Sequence, residues 1–249
     1  MTVRSVDVLG LPVQAHTMAS LVARMEEMIA SEGCRVAYGV NAHTLNLIFR
    51  IPGYRRVLQR ADVLYADGAS VLLAAAALGE QLPEKLTTTD VWPVFCAFAE
   101  RRGYRFFLLG GEPGLAENAR SRTLERFPGL HIAGVRHGYF EFSSDEILSI
   151  VNDARPDVLW LGIGEPRQAL WADAVRDRLN AGLVMTCGGM FKIISGSLKR
   201  APPSWRRRGF EWLYRMAREP GVWRRYGSDL PAMAIRVLVQ RFFGKTRAD

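Results

Sequence analysis

Asp67 is the residue of this chain best placed to accept a proton. It ends the apolar run at 62–65, precedes Gly68 and opens a stretch of helical character. An ionised carboxylate is favoured at the positive end of a helix. The competing reading is a plain helix cap, and Asp90, beside Thr89, fits that reading better still on spacing. Gln168 lies one turn into another helical stretch, after the turn Gly162-Ile163-Gly164-Glu165-Pro166-Arg167, where a bound ligand would be within reach. Its bland alternative is a solvated glutamine.

The same kind of residue recurs after each apolar run. Asn41-Ala42-His43-Thr44, Gly110-Gly111-Glu112-Pro113-Gly114, His137-Gly138-Tyr139-Phe140 and Cys187-Gly188-Gly189-Met190-Phe191 complete the set. Glycine at nearly every one lets main chain approach a ligand and presents helix N-termini to phosphate. Asn41, Thr44, Gly110, Gly111, Gly164, Arg167 and Gln168 are therefore the expected substrate-binding positions here.

Several chemistries are argued against by what is missing. The GGEPG loop at 110–114 matches neither GxGxxG nor a P-loop, since it lacks the lysine and hydroxyl of the latter. There is no DxD pair and no GxSxG. His16, His43, His131 and His137 have no metal-ligand spacing, so no metal and no cofactor are expected. Cys34, Cys96 and Cys187 are few and far apart, which suits buried thiols in a reducing compartment.

The elements that must position these residues alternate. Short β-branched runs at 35–40, 62–65, 105–109, 131–135, 157–162 and 183–186 predict strands. Amphipathic stretches at 17–30, 68–78, 89–102, 114–127, 143–152 and 166–180 predict helices. That order predicts an α/β fold with a mostly parallel sheet, and ligands at its carboxyl edge. The opening VDVLGLPV reads as an edge hairpin, and Ser143-Ser144-Asp145-Glu146 as a capping box.

Charge divides the chain. Residues 1–198 carry 20 Lys+Arg against 21 Asp+Glu, and residues 199–249 carry 13 against 4. The basic tail interleaves Trp205, Trp212, Tyr214, Trp223 and Tyr226 with arginine, then places Leu230, Met233, Ala234, Val237, Leu238 and Phe242 at helical spacing. We read 1–198 as an α/β core and 199–249 as a basic helical appendage that meets an acidic partner, such as an anionic membrane surface. No apolar run reaches the ~20 residues of a spanning helix, and the N-terminus lacks the pattern of a leader peptide. Nucleic-acid binding through the tail is the rival reading, against which the neutral core counts.

Taken together, the pieces resemble the WecG/TagA/CpsF glycosyltransferases, glycosyltransferase family 26. They are VNAHTLNLI at 40–48, YADG at 65–68, FLLGGEPG at 107–114, GYF at 138–140, LGIGEPRQ at 161–168 and the tail RAPPSWRRRGFEWLYRMAREPGVWRRY. The resemblance implies a Rossmann-like sheet of the GT-E type flanked by helices, with an appendage that closes over the active site. It implies an inverting bacterial enzyme on the inner face of the cytoplasmic membrane. The sugar would pass from a UDP-sugar to a polyprenyl-diphosphate-linked saccharide in exopolysaccharide or envelope-polymer synthesis. By position, Asp67 would be the catalytic base, Thr44 and Gln168 would contact the nucleotide sugar, and Arg215, Arg218, Arg224 and Arg225 would hold the diphosphate, with Arg200 also expected at the substrate. A non-catalytic scaffold in polysaccharide assembly is the alternative; as to assembly, a tail of this kind allows a monomer or a dimer.

Departures from the family pattern fall in loops expected near the donor. Lys85 and Thr88 replace an arginine and a glycine ahead of Asp90, Ala169 replaces a glutamate and Lys192 an aspartate. Lost acids and a gained lysine suit an anionic donor sugar. Lys85, Asp90 and Lys192 are accordingly expected at the substrate. We expect faster turnover of a UDP-uronate than of its neutral counterpart; equal rates in a donor competition assay would refute this.

Overall fold

The computed structural model describes residues 3–218 and 222–244, without the side chains of Arg215, Arg218 and residues 222–226. The chain opens with an antiparallel hairpin, β1 (Ser5–Val8) and β2 (Leu11–Gln14). Its turn holds Leu9 at φ 55° and Gly10 at φ 84°, the doubly positive geometry of a tight hairpin. Then come α1 (Met18–Ile29), β3 (Arg35–Val40), α2 (Ala42–Arg50), α3 (Tyr54–Gln59), β4 (Val63–Ala66), α4 (Ala69–Ala77) and α5 (Thr88–Arg102). The second half runs β5 (Arg105–Gly110), α6 (Leu115–Arg126), β6 (His131–Arg136), α7 (Asp145–Ala154), β7 (Val158–Gly162), α8 (Arg167–Val175) with a 3-10 turn at Arg176–Arg178, β8 (Leu183–Thr186) and α9 (Met190–Ile194). Beyond it lie α10 (Pro203–Arg207), α11 (Glu211–Arg218) and α12 (Val222–Phe243).

The strands form one eight-stranded sheet in the order β1-β2-β4-β3-β8-β7-β5-β6, parallel throughout except for β1. Side chains alternate between two cores. Val36, Tyr38, Leu64, Phe107, Leu109, Leu159, Leu161 and Val184 face one; Ala37, Tyr65, Phe106, Leu108, Trp160, Leu183 and Met185 face the other. The second core is aromatic: Trp92 meets Trp160 edge-on at 4.8 Å and Phe95 stacks on Phe106 at 5.8 Å. Both faces are thus sealed by apolar packing, as a parallel sheet requires.

Each predicted strand is present within a residue or so, and the hairpin forms. Two expectations are corrected. Ser144 caps α7 without any side-chain hydrogen bond, so the predicted capping box does not form; the reciprocal box lies instead at Thr17 and Ser20. The apolar positions 230–242 do not share one face. Met233 and Val237 are buried in the first core, where α12 packs on α2 and α4, whereas Ala234, Leu238 and Phe242 face outward. The helices α2, α3 and α9 escape sequence reading. In α2, Ala42 and residues 44–48 are all buried, because the helix lies between sheet and α12 and has almost no wet side to set a period.

Glycines close the carboxyl edge tightly. At Gly110 (φ 155°) a Cβ would stand 2.4 Å from the Gly162 carbonyl oxygen, which is main chain and cannot yield. At Gly33 (φ 75°) a Cβ would meet nothing within 4 Å. Gly110→Ala should therefore cost ~3 kcal/mol and lower Tm by roughly 6–12 °C, against about 1 kcal/mol for Gly33→Ala. Equal Tm values for the two variants in a melting experiment would contradict the packing.

Candidate functional site

A cleft of about 960 Å³ opens at the carboxyl ends of β3, β4, β7 and β8. That is the upper end of the roughly 300–1,000 Å³ typical of small-molecule sites. Asp67 stands on its wall. The backbone N–H of Asp67 donates to the Val40 carbonyl at 2.8 Å, so the sheet ladder itself positions the residue. Its Cβ lies over Gly39, where any side chain would come within 2.8 Å. Asn41 caps α2, accepting from the N–H groups of His43 at 3.0 Å and Thr44 at 3.2 Å, and turns its amide nitrogen toward the Asp67 carboxylate at 3.5 Å. Gly68, at φ 106°, caps α4; Asp67 is not the capping residue.

Opposite lies the turn into α8. Gln168 is buried and held at both ends: its Nε2 donates to Glu165 at 2.7 Å and its Oε1 accepts from the Gly188 N–H at 3.2 Å. Glu165 also receives the hydroxyl of Tyr54. Burial pushes the Glu165 carboxyl above its ordinary range, outweighing those two hydrogen bonds, and the Asp67 charge adds to the rise. Tyr65, beneath Asp67, donates to or accepts from Thr88 at 2.9 Å, and burial followed by the Asp67 charge pushes its phenol far up.

Of the expected site residues, Asn41, Asp67, Lys85, Gly164, Gln168 and Lys192 line the cleft. Thr44 is fully buried behind Asn41. Gly110 and Gly111 lie behind the lining, and Arg167 donates to the carbonyls of Gly138 and Phe140 while stacking on the Phe140 ring. Ala169 is buried in the core, so that departure does not reach the cleft; Thr88 and Lys192 line it. The side chains of Arg215, Arg218, Arg224 and Arg225 lie outside the described residues. Sequence reasoning passed over His43, Glu165, Glu211 and Trp212, which also line the cleft. His43 and Glu165 carried the signal of a strand end; Glu211 and Trp212 carried only that of the tail motif, which says nothing of direction. Among the described residues no group of three His, Cys, Asp or Glu side chains is arranged to hold a metal ion.

Arg200 and Asp90 turn to each other instead of into the cleft. Arg200 meets Asp90 at 2.8 Å and Glu211 at 3.2 Å, Arg206 meets Asp90 at 3.4 Å, and Lys85 donates to the Arg206 carbonyl at 2.9 Å. Burial alone would raise Asp90, but the hydrogen bonds from Arg200 and Thr87 win and hold its carboxyl below the ordinary range. This ties the start of the appendage to α5. The tie is complete above the ordinary aspartate value of about 3.9 and is lost only as pH falls through the lower folded value. Asp90→Asn should speed limited proteolysis within 199–211 at neutral pH, and the wild type should show the same sensitivity only in acid. Unchanged cleavage of the variant would remove the tie from the account.

The family model described as glycosyl transferase WecG/TagA/CpsF matches residues 6–247. Similar proteins include the N-acetylglucosaminyldiphosphoundecaprenol N-acetyl-beta-D-mannosaminyltransferases of Staphylococcus aureus strains MW2 and NCTC 8325 / PS 47. Each is 25% identical over 224 residues, covering 89% of this chain and 87% of the relative. A family match over almost the whole length, with relatives named as glycosyltransferases, shows that the chain belongs to the WecG/TagA/CpsF family and is a glycosyltransferase.

Proposed function

We propose that this glycosyltransferase moves a sugar from a UDP-sugar to a saccharide linked to a polyprenyl diphosphate, with inversion and without a metal ion. The observation that carries the reading is Asp67, held by the sheet ladder on the cleft wall beside Asn41. In the reaction the acceptor hydroxyl oxygen attacks the anomeric carbon and the bond from that carbon to the diphosphate oxygen breaks. The hydroxyl proton passes to Asp67 and UDP leaves. Arginines of the appendage and Lys192 would balance the charge of the leaving diphosphate. The lipid-linked acceptor is supported by the relatives, which are named for transfer to N-acetylglucosaminyldiphosphoundecaprenol. A uronate donor, rather than a neutral one such as glucose, is favoured by Lys192 at the cleft.

A lipid-borne acceptor calls for contact with a membrane, and we place the protein peripherally on the cytoplasmic face. Among the described residues no helix is long and apolar enough to cross. The outer face of α12 exposes Ile235, Leu238, Phe242 and Phe243, the last two at 71% and 85%, within a tail rich in arginine. Such a face inserts shallowly, and each basic residue near an anionic surface adds about 1 kcal/mol.

Thermal shift with UDP-sugars in EDTA tests the reading. A donor at 100 times its Kd should add about 2.7 kcal/mol, a rise of roughly 5–10 °C. Asp67→Asn should keep that shift and lose ~10²–10⁴-fold in turnover. Full turnover by Asp67→Asn, or a UDP-sugar shift that appears only when a divalent cation is restored, would overturn it.

A further inference from the structure

The geometry points to His43 as a second substrate-contacting residue, an acceptor for a sugar hydroxyl, held in one tautomer by Asp229 of the appendage. The inference rests on the active-site reading of the cleft that Asp67 and His43 share. Asp229 is 1% exposed, and its Oδ2 lies 2.7 Å from Nδ1 of His43. Among the described residues its Oδ1 has no hydrogen-bond donor, and Arg50 stands 3.6 Å from it. A carboxylate so buried demands a donor from its neighbours. The proton of that short contact therefore sits on Nδ1 of His43, and Nε2 on the opposite edge of the ring is left with its lone pair. Nε2 has no partner among the described residues, and His43 lines the cleft two residues after the α2 cap Asn41.

The seam around this contact keeps it in register. Asn46, fully buried, donates to the main-chain carbonyls of Ala42 at 2.9 Å and Asp229 at 2.7 Å, and Arg236 donates to the Asn46 side-chain oxygen. Asp229 is thus a positioning residue that lets the appendage set the hydrogen-bonding character of the cleft. A histidine free in water favours the other tautomer, with its proton on Nε2, which would meet a hydroxyl as a donor only.

The test separates the two nitrogens. His43→Asn keeps an amide at the Nδ1 position for Asp229 and removes Nε2. It should fold, keep its melting temperature and lose about tenfold in kcat/KM, with a raised KM for whichever saccharide, donor or acceptor, the ring contacts. Nitrogen NMR of ¹⁵N-histidine-labelled full-length protein should show His43 protonated on Nδ1, reverting to Nε2 in Asp229→Ala. Asp229→Ala should lower activity in the wild type and add nothing to His43→Asn. Wild-type kinetics for His43→Asn beside an inactive Asp67→Asn would overturn this inference and leave the active site standing. An Nε2 proton on His43 in the wild type would overturn it equally, whereas an active Asp67→Asn would bring down the active-site reading itself.

Discussion

Burial of the sheet on both faces is the constraint from which the rest of this structure follows. With Leu159 and Leu161 committed to one core and Val158 and Trp160 to the other, no residue of the fully buried strands β4, β7 and β8 has a wet side to lend to chemistry. Polar groups can be presented only where strands stop. Asp67, Asn41 and the glycines after β8 sit at such stops, Gln168 follows in the first turn of α8 beyond β7, and the ladder bond to Val40 fixes Asp67 directly. The covering helices then close the cleft: α12, packed on α2 and α4, brings Leu230 to the lining, and α11 brings Glu211 and Trp212.

Much of this was legible in the sequence, for a physical reason. Apolar β-branched runs separated by amphipathic stretches carry two distinct periods, and six strands and their intervening helices followed from them. What stayed hidden lacked such contrast. The helix α2 is buried nearly all round, and α9 is five residues long. The division of α12 into a core side and an outer side could not be read either. Its apolar positions run continuously around the helix, and only the neighbours α2 and α4 decide that Met233 goes in and Phe242 stays out.

The site was legible in type more than in direction. Position after a strand selected Asp67, Asn41 and Gln168, because topology alone aims such residues. It gave no information on which way a flexible side chain turns. Arg167 folds back onto the carbonyls of Gly138 and Phe140, and Arg200 is captured by Asp90 and Glu211. Long cations near a ligand site find carbonyls and carboxylates of their own, and spacing cannot tell a phosphate clamp from a strut. Thr44 is the converse case, a correct address whose hydroxyl is sealed behind Asn41.

The glycine seam behind the cleft has a consequence for what can change around it. Gly110 abuts the main chain of Gly162, and Gly162 in turn abuts the carbonyl of Gly188, so three neighbouring strand ends meet as bare backbone. Backbone offers the same amides whatever the rest of the sequence becomes. The rim, by contrast, is built of replaceable side chains such as Lys85, Thr88 and Lys192. The seam admits no side chain and so sets the frame of the edge, while the rim side chains can be exchanged without disturbing it. Frame and rim are built from different chemistry within a few residues of each other.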